Sequence, residues 1–392
     1  MGTELEEKKN EVIERKKMKK RKKIIRITSV ILFFVFVLSF WYYQVGLKRY
    51  TGYKVQYTVD MDSASESFYE QFCKRVIKYS KDGISLIDQK GESLWSETYS
   101  MKSPKIVKND TYLVVADIGG NGVFLFNEKG KIEDYTMPYP ICDIELSDQG
   151  VIGVVLEDEK TNYIQLYDKE GVQIVDFAMT IAQSGYPLDI GLSKDALNMV
   201  VSAIKLEGLE TKNTMAFYNF SSVGQNANSN KYVGGFYYTD TIFPKVEFIN
   251  NNTVCAFGDN KLIFYQVTNK PKSNPIEITV ETEIRSVFSN DQYVGVVRKN
   301  ETNSELGNYI VEVYNGSGRQ VLHKIIDMEY QKVKFDKNDI ILLGEYEGLI
   351  IRLNGNEKLK VQFKEGATDL LSISSREYLL VGMKNIKKIR LY

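Results

Sequence analysis

One short apolar run returns eight times along this chain, and that periodicity constrains its fold more than any other feature. The copies are VIKY (76–79), YLVV (112–115), VIGVV (151–155), NMVV (198–201), TVCAF (253–257), YVGVV (293–297), DIILL (339–343) and EYLLV (377–381). Their spacing of 36–55 residues is the range of repeat units that cannot bury an apolar face alone and must stack on their neighbours. A second run follows each copy: GISLID (83–88), GVFLFN (122–127), YIQLYD (163–168), MAFYN (215–219), LIFY (262–265), YIVEVYN (309–315), LIIRLN (349–354) and KIRLY (388–392). Four of these lead into the turns DQKG (88–91), NEKG (127–130), DKEG (168–171) and NGSG (315–318). Asn or Asp opening a Gly-closed turn between apolar strands marks a hairpin, since Gly supplies the positive φ the turn needs.

Two further strands complete each unit. Polar, edge-like segments come next, as in SLWS (93–96), QIVDF (173–177), QVLH (320–323) and KLKV (358–361). Segments of period-two alternation then open the following unit, as in CDIELS (142–147), LDIGLS (188–193), VEFIN (246–250) and VKFD (333–336). Four strands per unit, repeated radially, is the β-propeller solution to unpaired sheet edges. The expected class is all-β: an eight-bladed propeller, with seven blades as the alternative. The last unit stops at Tyr392 after three strands, and the alternating segment 53–59 is the expected donor of its fourth.

Ahead of the repeats, Ile27–Leu47 carries no charge between Arg26 and Lys48. With Ile24 and Ile25 it reaches the ~20 apolar residues that cross a bilayer. Trp41, Tyr42 and Tyr43 sit at its C-terminal end, where aromatic rings settle at headgroup level. A cleaved signal peptide would have a shorter apolar core followed by small residues, and WYYQVGLKRY offers none. The expected organisation is a basic tail over 1–24, a frayed helix or disordered, a transmembrane helix over 25–47, and a propeller over 48–392. The first 26 residues hold eleven Lys/Arg against five Glu. That bias places the N-terminus in the cytoplasm and the propeller outside, on a single-pass cell-membrane protein. Lys+Arg and Asp+Glu are both 51 in the whole chain, so the exported part is mildly acidic. Nucleic acid is therefore not its expected partner.

No catalytic, cofactor or metal signature emerges. His323 is the only histidine, on an expected edge strand, so no triad or imidazole metal site can be built. Cys73, Cys142 and Cys255 are far apart and read as buried free thiols. Asp60, Asp62 and Glu66 resemble a fragment of a calcium loop but lack its full ligand pattern. One repeated feature is more specific. Four blade lead-ins carry Pro, and in three an aromatic precedes it: Tyr139-Pro140, Tyr186-Pro187 and Phe243-Pro244. At equal spacing those three rings are expected on one face of the disc, as partner-binding residues; the other reading makes them packing wedges.

The basic start, the WYY-ended anchor, SKDGISLIDQKGESLW (80–95) and YPLDIGLSKD (186–195) together resemble an uncharacterised family of bacterial single-pass membrane proteins with an exported propeller. The likeness covers nearly the whole chain and implies fold and topology. Residues 83–95 are also similar to the blade ends of quinoprotein-type propellers and of outer-membrane assembly lipoproteins. Such propellers repeat a Trp in most blades; here only Trp95 takes that place in the exported part, so no cofactor is carried over. The expected function is a membrane-anchored binding or scaffolding module of the cell envelope for a protein or glycan partner. The alternative is an envelope polysaccharide hydrolase or lyase using paired carboxylates. A channel mouth lined by several Asp/Glu, one of them desolvated, favours the enzyme; a mouth lined by Tyr, Phe and amides favours binding.

Overall fold

A computed structural model describes residues 2–43, 47–60, 67–88, 90–302 and 304–392. It divides into two compact units, Met1–Arg49 and Tyr50–Tyr392.

The first unit is a single helix, Gly2–Tyr42. The basic tail is thus helical over its described residues. Its segment Lys17–Tyr42 is long and apolar enough to cross a membrane. Within it the Thr28 hydroxyl donates to the Ile24 carbonyl at 2.7 Å, so this hydroxyl is not left unpaired in an apolar setting.

The second unit contains eight four-stranded antiparallel sheets, which settles the blade number at eight. Blade 1 spans Phe68–Thr98, blade 2 Pro104–Thr136, blade 3 Ile141–Thr180 and blade 4 Tyr186–Tyr238. Blade 5 spans Lys245–Thr279, blade 6 Ile284–Ile326 and blade 7 Lys332–Gln362. Blade 8 takes three strands from Ala367–Leu391 and its outer strand from Tyr53–Asp60. That closing strand pairs along its length, from Tyr53 opposite Leu391 to Asp60 opposite Asn385, with one bulge between Val55 and Tyr57.

Why the middle strands read as continuous apolar runs is clear from the packing. Eight buried hydrophobic clusters are present among the described residues, and each joins two consecutive blades. Val155 and Ile164 of blade 3 meet Ile190 and Val201 of blade 4, for example. Each sheet is therefore covered on both faces, and its two central strands have no solvent side to make polar. The outer strands do have one, and they alternate exposed with half-buried residues, as in Ser93–Thr98.

The turns form as their chemistry requires. Asp88 Oδ1 accepts from the Lys90 and Glu92 amides at 2.8 and 2.9 Å, with Gly91 at φ 86°. Asp168 and Gly171 repeat this arrangement in blade 3. The polar insert at 221–230 is not all loop: Ser222–Ala227 forms a short helix capped by the Ser221 side chain.

Candidate functional site

Two regions of the ring place chemistry-bearing side chains together, one at each end of the inner strands. The blade lead-ins lie at the start of those strands; the turns into the second strands lie at the other end.

At the lead-in end, Tyr139 stacks on Tyr163 of blade 3, with centroids 5.0 Å apart and planes within 4°. Both rings are half-buried and belong to the side of blade 3 that faces blade 2. Tyr186 approaches the same end of blade 3 from blade 4. Its hydroxyl reaches Cys142 and Glu157, and the phenol is pushed up to about 12 by burial, by Cys142 and by Glu157. The Cys142 thiol donates to Glu157 Oε2 at 3.4 Å. Burial and Glu157 push that thiol up to about 11, far from the range of a reactive nucleophile. Glu157 itself is tied to the Tyr139 lead-in, its amide donating to the Pro140 carbonyl at 2.9 Å. The structure thus brings Tyr139 and Tyr186 to one end of blade 3, on its two sides.

Phe243 is not with them at the surface. It is 0% exposed, inside the cluster joining blades 4 and 5. Its amide donates to Asn213 Oδ1 at 2.9 Å and its carbonyl accepts from Ser202 Oγ at 2.6 Å. Its ring meets Tyr238 edge-on at 5.1 Å.

Sequence reasoning did not anticipate what the inner strands do between their lead-in halves and the opposite mouth. The polar residues of the inner strands form a ring of contacts that runs from each blade to the next. Lys108 bonds Glu70, and Lys105 reaches Asp143 at 2.5 Å. The Asp143 and Asp189 carboxyls meet, and Asp189 Oδ2 accepts from the Val246 amide at 2.7 Å. Ser289 donates to Glu247, and Asn290 to the Lys337 carbonyl at 2.7 Å. Lys332 and Lys334 share Asp369, and Gln71 closes the circle on the Ser372 carbonyl at 2.6 Å. Burial alone would raise Asp369; Lys334 and Lys332 outweigh it and hold this carboxyl below its ordinary value. Two cavities, of about 1070 and 560 Å³, open at the mouth opposite the lead-ins. The smaller is lined by Glu145, Asp148, Lys194, Lys245 and Glu247, among others. Burial, with Asp143 and Glu247 nearby, pushes Glu145 up to about 8.

The remaining sequence candidates have local roles. His323 Nδ1 lies 3.1 Å from Glu312, a buried carboxylate that also takes Arg298 and Tyr314. Trp95 stacks on Phe126 at 5.2 Å, and its indole N–H donates to the Glu128 carbonyl at 3.1 Å, so it wedges blade 1 against blade 2. Cys255 is buried, but Cys73 and Cys142 are only half-buried. Asp62 and Glu66 lie outside the described residues. Among the described residues no group of three His, Cys, Asp or Glu side chains is placed to hold a metal ion.

A family model matches residues 46–391. The chain belongs to DUF5711, a family of unknown function. No curated protein matches this DUF5711 chain by sequence. Among solved structures it is similar to Sqt1 from Chaetomium thermophilum, with a TM-score of 0.56 and 11% identity over 86% of this chain and 99% of that one. It is similar also to BamB from Moraxella catarrhalis, with a TM-score of 0.51 and 10% identity over 86% of this chain and 100% of that one. At such identities the likeness shows the propeller fold and nothing finer.

Proposed function

We propose that this DUF5711 protein is a membrane-anchored binding or scaffolding module of the cell envelope. The helix serves as an uncleaved anchor with its basic end in the cytoplasm, and the propeller docks a protein or glycan partner outside. The observation that carries this reading is the Tyr139–Tyr163 stack with Tyr186 beside it: half-exposed rings held on a closed, rigid frame. Amphipathic rings of this kind give large contact area at low entropic cost, to a sugar ring or to an apolar side chain. Phe243, behind the surface, supports the neighbouring blade junction. The carboxylate-lined mouth is what favours the hydrolase alternative. Three of its acids are engaged, however: Asp143, Glu247 and Asp369 each hold a lysine. Asp143 and Asp189, in contact, lack the ~5 Å or greater separation that glycoside cleavage needs, whereas Glu145, desolvated beside the smaller cavity, is the acid that reading would use.

Two outcomes test the proposal. Protease added to cells stripped of wall digests the propeller and spares an N-terminal tag; an N-terminal tag reachable from outside, with a protected C-terminus, reverses the orientation. Replacing Tyr139 and Tyr186 together by Ala lowers partner capture per folded molecule at least tenfold and the melting temperature only slightly. A large fall in melting temperature with capture unchanged assigns both rings to packing alone.

A further inference from the structure

The inner strands of blades 3 and 4, Ile141–Leu146 and Tyr186–Leu192, lie side by side and bring two carboxyls into contact on the channel wall. Asp143 is 9% exposed. Its Oδ1 is fully engaged, accepting from Lys105 Nζ at 2.5 Å and from the Ile144 amide at 2.9 Å. Its Oδ2 is shielded from solvent and meets no donor in the protein. The neighbouring Asp189 carboxyl accepts from the Val246 amide at 2.7 Å and faces Asp143. Two carboxylates in contact, one buried and the other half-buried, resist ionising together.

We propose that Asp189 and Asp143 share one proton, and that this acid–carboxylate hydrogen bond is a pH-sensitive joint between blades 3 and 4. The protonated Asp189 supplies the donor that Asp143 Oδ2 otherwise lacks. The proton sits on Asp189, which accepts from a single N–H, whereas Asp143 already accepts from an ammonium and a backbone N–H. The other charged groups around the pair are Lys105 from blade 2, Glu145 on blade 3, and Lys245 and Glu247 on blade 5. Burial, Asp143 and Glu145 push Asp189 up to about 9, against the lowering influence of the Val246 bond.

The sign follows from linkage. A carboxyl of roughly 3.9 when unfolded and about 9 when folded binds its proton more tightly in the native state. Its stabilising contribution is complete below the unfolded value and is lost as pH rises through the folded one. Glu145 acts in the same direction.

The test uses the full chain in detergent micelles. Asp189→Asn keeps both hydrogen bonds, donating to Asp143 and accepting from Val246, but cannot ionise. The melting temperature of the unaltered protein falls from pH 6 to pH 10, whereas that of Asp189→Asn falls less and lies higher above pH 9. In the infrared difference between the two proteins at pH 7, one protonated-carboxyl band is lost with the substitution. Asp143→Asn, which turns a donor toward Asp189, removes the same band and serves if the first variant does not fold. Parallel pH slopes, or no protonated-carboxyl band lost at pH 7, overturn the proposal.

Discussion

A chain that begins at Ser67 instead of Gly52 is expected to lose cooperative melting or to aggregate. Tyr53–Asp60 is the outer strand of the last blade. Without it the strand Asn385–Leu391 becomes an edge, a row of unpaired amides and carbonyls open to other chains. Its buried Ile386, Ile389 and Leu391 lose one covering neighbour. The packing of Tyr53 against Phe363 goes too. The cost is about 5 kcal/mol or more, comparable with the whole stability of a typical domain. A chain starting at Gly52 melts in one transition. Equal stability of the two by calorimetry contradicts closure through this strand.

Phe243→Ala is expected to cost about 3–5 kcal/mol, because a fully buried aromatic leaves a cavity its surroundings only partly refill. Phe217, Tyr265 and Val246 border that space within the same cluster. The backbone bonds to Asn213 and Ser202 hold the lead-in fixed, so collapse into the gap is limited. Tyr139→Ala, at a half-exposed ring, costs much less. Denaturant melts of the two variants compare them directly; equal losses contradict the separation of a supporting ring from a presented one.

The contrast between those two rings shows where sequence reading ends. Aromatic-Pro is the same local motif at 139, 186 and 243, yet burial differs. The Phe243 lead-in is captured by Asn213 and Ser202 of the preceding blade, residues some 30 and 41 positions away. The apolar runs, the Asx-Gly turns and the closing strand were legible because each depends on neighbours in sequence or on one face being buried. The ring of polar contacts was not. CDIELS and LDIGLS announce strands with inward polar residues, but that Asp143 meets Asp189 follows only once eight blades close on one another. The basic tail, expected as a frayed helix or disordered, is helical over its described residues, with its five Glu confined to the first fourteen positions.

The central claim is that the lead-in face around Tyr139 and Tyr186 contacts a partner outside the cell. A photo-crosslinking residue at position 139 or 186, activated in intact cells, tests it most directly, with position 74 on the opposite mouth as control. The account predicts one discrete adduct, identified by mass, from 139 and 186 and none from 74. No adduct from either lead-in position, or the same adduct from all three, contradicts it.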